Sequence, residues 1–216
     1  MADQSSIERL LGSLHWLGHD SFRLDSPAGA VYFDPYELKG GPVAALVLCS
    51  HDHFDHCVPE DVAKIRGPET VIVTEAQCAQ KLGGANVKTM SPGDSLEVLG
   101  IKIKAVPAYN TDKEFHPQGN AWLGFVVTVE GVSIYHAGDT DHIPEMSGLE
   151  VDIALLPVSG TYVMTAEQAV QAALAIKPRL AIPMHYGAIV GDAGDAQRFA
   201  QALQGKVPVR ILAKES

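Results

Sequence analysis

Residues 50–56 read Ser-His-Asp-His-Phe-Asp-His, which places three of the chain's nine histidines and two aspartates within seven consecutive positions. Neutral imidazole and carboxylate are the donors that divalent zinc, iron and manganese accept. His51 and His53, two apart in an extended or tight loop, can face one ion. Asp55 and His56 then turn towards a second position, and Phe54 is expected to bury beneath the ions. A solvated histidine-rich turn is the bland alternative. Position argues against it, because the cluster directly follows the apolar run VAALVLC, and more donors stand at later strand ends. Asp139 in HAGDTD is placed to bridge two ions, and His185 in IPMHYG ends another apolar run.

Donors so far apart in the chain need a scaffold that gathers strand ends. SLHWLGHDSFRLDS and AVYFDP form a hairpin with SPAG as its turn, and VAALVLCS is a buried strand. PEDVAKIR is a short helix opened by Pro59, and TVIVT is the next strand. VKTMSPGDSLEVLGIKIKAVPAY runs strand, turn and strand, and AWLGFVVTVEGVSIYHAGD folds as a second hairpin around Glu130 and Gly131. VDIALLPVS and RLAIPMHY are strands, separated by a helix that Thr165 caps and that runs to about Ile176. DAQRFAQALQ is a last amphipathic helix.

The two halves repeat. HWLGHDSFRL…AVYFDP followed by VAALVLCSHDH parallels AWLGFVVTV…SIYHAGD followed by VDIALLPVSGT. A duplicated β-rich unit with helices after its strands implies an α/β (α+β) fold: a four-layer αββα sandwich of two mixed β-sheets, helices outside. Asp34, His51, Asp139, Ser159 and His185 then share one edge, where ligand sites of such folds form.

Composition sets outer bounds. A chain of 216 residues that is 46% apolar is expected to form one domain spanning residues 1–216. The formal net charge of −10 argues against nucleic acid as partner, and a small-molecule substrate is expected instead. The N-terminus lacks a signal-peptide pattern and the longest apolar runs are too short to span a bilayer, so a cytoplasmic protein without a membrane role is expected. Cys49, Cys57 and Cys78 are sparse and odd in number, as reduced thiols are. Self-association is compatible with all of this.

Taken together, SHDHFDH, WLGHDSF, VYFDP, YHAGDTD, LLPVSGTYVMTAEQA and IPMHYG resemble the metallo-β-lactamase superfamily, in particular its small metal-dependent hydrolases related to the L-ascorbate-6-phosphate lactonase group. The resemblance implies the same αββα sandwich. It implies two divalent metal ions, zinc first and manganese or iron as alternatives: His51 and His53 on one, Asp55, His56 and His185 on the other, Asp139 shared. The chain departs from the pattern at Tyr109-Asn110, where most relatives carry a histidine. His116, in the loop TDKEFHPQGN, is the substitute donor. Asp34 matches an aspartate under the metal loop that accepts a hydrogen bond fixing a ligand or the loop backbone. His19 matches a residue that faces the site as substrate contact or proton carrier, and Asp55 additionally orients the nucleophile.

Two such ions make a hydroxide nucleophile available near neutral pH. No GxSxG, Cys-His or P-loop signature supplies a competing one. The expected activity is therefore metal-dependent hydrolysis of an ester or lactone, or of a phosphoester, in a small molecule. The alternatives are a phosphodiesterase or nuclease on the same scaffold, and a metal-binding protein without turnover, which the departure at Tyr109-Asn110 motivates.

Overall fold

The computed structural model describes residues 2–215. The first sheet holds six strands in chain order: β1 (Leu14–Gly18), β2 (Ser21–Ser26), β3 (Gly29–Phe33), β4 (Ala44–Cys49), β5 (Arg66–Thr74) and β6 (Val87–Thr89). The second holds β7 (Ser95–Val98), β8 (Ile101–Pro107), β9 (Leu123–Val129), β10 (Val132–His136), β11 (Ile153–Pro157) and β12 (Leu180–Met184). Within β2 to β5 the pairing is antiparallel, parallel, parallel, and β9 to β12 repeat that sequence. The duplication seen in the sequence is thus a duplication of topology. Its anchoring motif needs one correction. Trp16-Leu17-Gly18 closes β1, before the turn, whereas Trp122-Leu123-Gly124 opens β9, after the corresponding loop.

Strand alternation builds the layers. Val31, Phe33, Leu46, Leu48 and Val73 point into the main core, which they share with Phe125, Val127, Ile134 and Leu155 of the second sheet. The intervening residues Ala30, Tyr32, Val47, Cys49 and Ile72 form a second apolar cluster on the outer face. There they meet Val62 and Ile65 of helix α2 (Pro59–Ile65) and Cys78 of α3 (Ala76–Leu82). Helices α4 (Ala166–Ile176) and α5 (Ala193–Leu203) pack on β11 and β12, and α1 (Gln4–Leu11) against β10. The αββα arrangement follows.

Thr165 caps α4 through a reciprocal pair with Gln168, as its sequence predicts. Helices α1 and α3 were not expected. The first is a short amphipathic helix burying Ile7, Leu10 and Leu11, capped by Asp3; the second is capped by Glu75, which accepts from the amides of Gln77 and Cys78. Among the described residues no helix is long and apolar enough to cross a membrane.

The sheets are tied together at one edge. Leu123 N donates to Ser50 O (3.1 Å), and His185 N donates to His19 O (3.1 Å), each joining one sheet's strand end to the other's. Gly138 sits in this seam with φ 62°; a side chain there would meet Leu123 O at 2.8 Å and Ser50 Cβ at 3.1 Å. Only glycine allows so close an approach of backbones.

Candidate metal centre

The donors foreseen from sequence gather at the tied edge, most of them just past the end of a strand. His51, His53, Asp55 and His56 lie on the loop after β4, Asp139 follows β10 and His185 follows β12. His116 comes from the long loop between β8 and β9, and His19 from the turn between β1 and β2. Three of these edge residues, His19 (φ 51°), Asp34 (φ 39°) and His185 (φ 59°), hold left-handed backbone conformations that cost non-glycine residues energy. Packing on both sides enforces them.

Four of the histidines, His51, His56, His116 and His185, are anchored by Nδ1. His56 Nδ1–H donates to Asp34 Oδ2 (2.8 Å). Ser50 Oγ–H donates to Asp34 Oδ2 (2.6 Å), so Ser50 Oγ accepts from His51 Nδ1 (2.9 Å). His185 Nδ1 pairs with Ser159 Oγ (2.8 Å), and His116 Nδ1 with Asn110 Oδ1 (3.1 Å) and Tyr162 O (3.2 Å). The Nε2 atoms of these four rings consequently turn inward, and such outer partners fix ring tautomer and orientation in metal proteins. Around Asp139 three of them converge: His116 Nε2 at 3.1 Å, His185 Nε2 at 3.3 Å and His56 Nε2 at 3.4 Å. His51 Nε2 lies 3.0 Å from His53 Nδ1 and His56 Nε2 3.7 Å from Asp55 Oδ2.

These spacings suit ions. Two donors each about 2.1 Å from one tetrahedral ion lie roughly 3.4 Å apart. The Nε2 atoms of His56, His116 and His185 and Asp139 Oδ1 are buried without hydrogen-bond partners, a costly state for polar atoms. Donor type, spacing and missing partners agree: His51, His53 and His116 form one potential ligand group, and Asp55, His56 and His185, with His19, another.

Electrostatics shows the same strain. Burial opposes charge on Asp139, yet His185 and His56 hold its carboxyl well below the usual range. Burial likewise opposes the His56 cation, but Asp139 and Asp34 raise it well above the ordinary imidazole value. His51 is pushed well down by burial and by His56, and His53 is lowered by burial and by His116. His51 and His53 are therefore neutral near pH 7, with lone pairs available.

Several expectations change in detail. Phe54 does not bury beneath the site; it is 70% exposed, because the tight turn from His53 O to the amides of His56 and Cys57 throws it outward. His19 is 1% exposed, and its Nε2 lies 3.0 Å from Asp55 Oδ2, so it stands behind Asp55. Cys57 turns away into the outer cluster with Cys49 and Cys78. Asn110, where the usual histidine is missing, serves the substitute: its Oδ1 accepts from His116 N (2.9 Å) as well as from the ring, and its own N–H donates to His116 O. Asp141 holds the same loop by accepting from Thr111 N (2.8 Å).

Asp20 was not foreseen. Its carboxylate is fully buried with both oxygens unpartnered, within reach of Asp139 and His185 on one side and His136 on the other. Burial pushes its pKa well above the carboxylate range. Nothing in WLGHDSF distinguishes it from a turn aspartate.

Residues 13–185 match the family described as beta-lactamase superfamily domain. A UPF0173 metal-dependent hydrolase of Thermoplasma acidophilum is 36% identical over 213 residues, covering 95% of this chain and 90% of its own. A crystal structure from Parabacteroides distasonis, of a protein classed as a metal-dependent hydrolase, superposes with a TM-score of 0.84 at 32% identity, covering 94% and 93% of the two chains. Igni18, a metallo hydrolase of Ignicoccus hospitalis, shares the fold with a TM-score of 0.75 at 24% identity, over 94% and 95%.

Proposed function

We propose that this chain, which belongs to the metallo-β-lactamase superfamily, is a metal-dependent hydrolase with two divalent ions, zinc in the first instance, that cleaves an ester or lactone bond of a small molecule. One observation carries the reading: three histidines held by their Nδ1 atoms, His56, His116 and His185, present Nε2 to the space around Asp139, and those buried atoms have no hydrogen-bond partner. His51, His53 and His116 would hold one ion; Asp55, His56 and His185 would hold the other; Asp139 would serve both.

Bound there, the ions would supply a hydroxide nucleophile near neutral pH and take up charge that develops on the substrate oxygen. The chain's own residues do the positioning. Asp34 sets His56 directly and His51 through Ser50, while Ser159 sets His185. His19 holds Asp55 through Oδ2 and so fixes the carboxylate beside His56 Nε2 (3.7 Å), where it would orient the nucleophile. In this reading His19 is a positioning residue.

Elemental analysis of wild type and His116→Ala, run beside hydrolysis of p-nitrophenyl butyrate, δ-valerolactone and bis-p-nitrophenyl phosphate, tests it. About two ions per chain are expected, falling towards one in the variant. Chelation should abolish turnover, and zinc, manganese or iron should restore it. At most one ion, unchanged in the variant, refutes the two-ion site. Two ions with no turnover of any substrate leaves a metal-binding protein, and a preference for the phosphodiester moves the assignment to phosphodiesterase.

A further inference from the structure

The described residues expose six large hydrophobic side chains: Val43, Phe54, Leu99, Phe115, Ile189 and Ile211. Scattered singly, such residues are ordinary surface. Three of the six are not scattered. Phe54, Phe115 and Ile189, which are 70%, 50% and 38% exposed, rim one cleft of about 340 Å³ whose floor holds His53, Asp55, His116 and Asp139. They arrive on three separate loops, so no single amphipathic segment accounts for their meeting. Phe115 packs edge-on against Tyr162, with ring centroids 4.7 Å apart. Apolar groups gathered at the mouth of a polar centre are the usual mark of a ligand's apolar portion.

Charge sharpens the identification. No lysine or arginine lines the cleft. Two neighbouring lysines are engaged: Lys113 of the β8–β9 loop with Asp112 (2.7 Å) and Asp141, and Lys81 of α3 with the Asp52 carbonyl and carboxylate. Arg23, Lys39 and Lys214 line a different cavity that contains none of the donor residues. A phosphate or carboxylate on the substrate, outside the reacting bond, would find no cation, and recognition of such groups relies on Arg or Lys.

We infer that the substrate carries an uncharged apolar group, an aryl ring or a short alkyl chain, beside the bond that is cut, and no fixed anionic group elsewhere. The inference rests on the proposed metal centre and names the substrate class for it. Phosphorylated sugars and polynucleotides would on this inference be poor substrates.

Calorimetric titration of the zinc-loaded protein with metal-chelating hydroxamates tests this without relying on turnover. The series comprises acetohydroxamate, butanohydroxamate, hexanohydroxamate and benzohydroxamate, with the monohydroxamates of succinic and adipic acid as anionic counterparts. The neutral series should tighten by about fourfold per added methylene. The carboxylate-ended members should bind about tenfold more weakly than neutral ones of equal length. Phe54→Ser, Phe115→Ser and Ile189→Ser, all at exposed positions, should each flatten the dependence on chain length. Equal affinity along the neutral series, or tighter binding of the anionic members, overturns the inference and leaves the metal centre standing. If the protein takes up no zinc, the metal centre fails and the inference with it; if zinc is held and no hydroxamate binds, the inference alone is overturned.

Discussion

Asp34 and Asp139 occupy matching places in the two repeats, one after β3 and one after β10, yet they do opposite things. Asp34 is saturated: it accepts from Ser50 N (2.7 Å), Ser50 Oγ (2.6 Å) and His56 Nδ1 (2.8 Å). Asp139 faces three imidazole Nε2 atoms and has an oxygen with no hydrogen bond at all. The following loops diverge in the same sense. The loop after β4 brings four donors in six residues, whereas the loop after β11 brings props, Ser159 for His185 and the Tyr162 carbonyl for His116. One duplicated scaffold thus holds an aspartate that orients imidazoles and an aspartate that, in the proposed reading, is offered to ions. The residues packed around each decide which, since residue type and topology are shared.

That contrast can be broken by substitution. Asp139→Asn should reduce bound metal to one ion or fewer and slow ester hydrolysis by about a thousandfold, measured by elemental analysis and initial rates. Retention of both ions, with a rate within tenfold of wild type, would make the two aspartates equivalent. Asp34→Asn should weaken metal affinity by roughly 10- to 100-fold while leaving turnover near wild type once metal is saturating, as a metal titration of activity would show. A permanent loss of turnover would place Asp34 among the donors. Ser159→Ala should weaken the hold on one ion only, by about tenfold, visible as a shift of a single step in a competitive chelator titration.

The smallest expected effect concerns protons. In the metal-free protein Asp139 and Asp34 raise the His56 pKa well above its ordinary value of 6.5, so a metal ion competes at Nε2 with a proton held more tightly than on a free imidazole. Metal uptake should release at least one proton per chain, and affinity should rise with pH until His56 is neutral. Binding enthalpies measured in phosphate and in Tris should therefore differ. For the metal-free fold the signs are opposite for the two groups. The stability that comes from His56 is present below pH 6.5 and disappears as pH rises through its elevated folded value. That from Asp139, whose pKa is lowered, is present above 3.8 and disappears as pH falls through its folded value. Thermal denaturation of chelated protein across pH should show both losses.

The strands, the duplicated topology and the donor cluster were legible because each leaves a local signature. SHDHFDH combines ligand chemistry with short spacing, and the strand-end positions of Asp139 and His185 follow from apolar runs that stop at a polar residue. His116 was legible only through the gap at Tyr109-Asn110; that Asn110 itself grips His116 is a tertiary fact with no pattern in sequence. Asp20, Ser50 and the left-handed conformations of His19 and His185 escape for the same reason: they arise where two sheets meet. Phe54 misled because hydrophobic residues are generally inside, and the backbone turn at His53 overrides that tendency. Helices α1 and α3 are too short for their periodicity to stand out.

The seam joining the sheets has a consequence for the order in which the molecule is made. Backbone bonds from Ser50 to Leu123 and from His19 to His185 link segments far apart in the chain, and Asp139 meets its imidazoles only once these links exist. Contacts of such long sequence separation close late, after local hairpins and helices have formed. A nascent chain therefore holds only the cluster of residues 50–56, a weak and unselective ligand, until β12 is synthesised and docked. On the proposed reading, metal selection is in this way deferred to a nearly finished fold, and the polypeptide must reach that fold by its own packing.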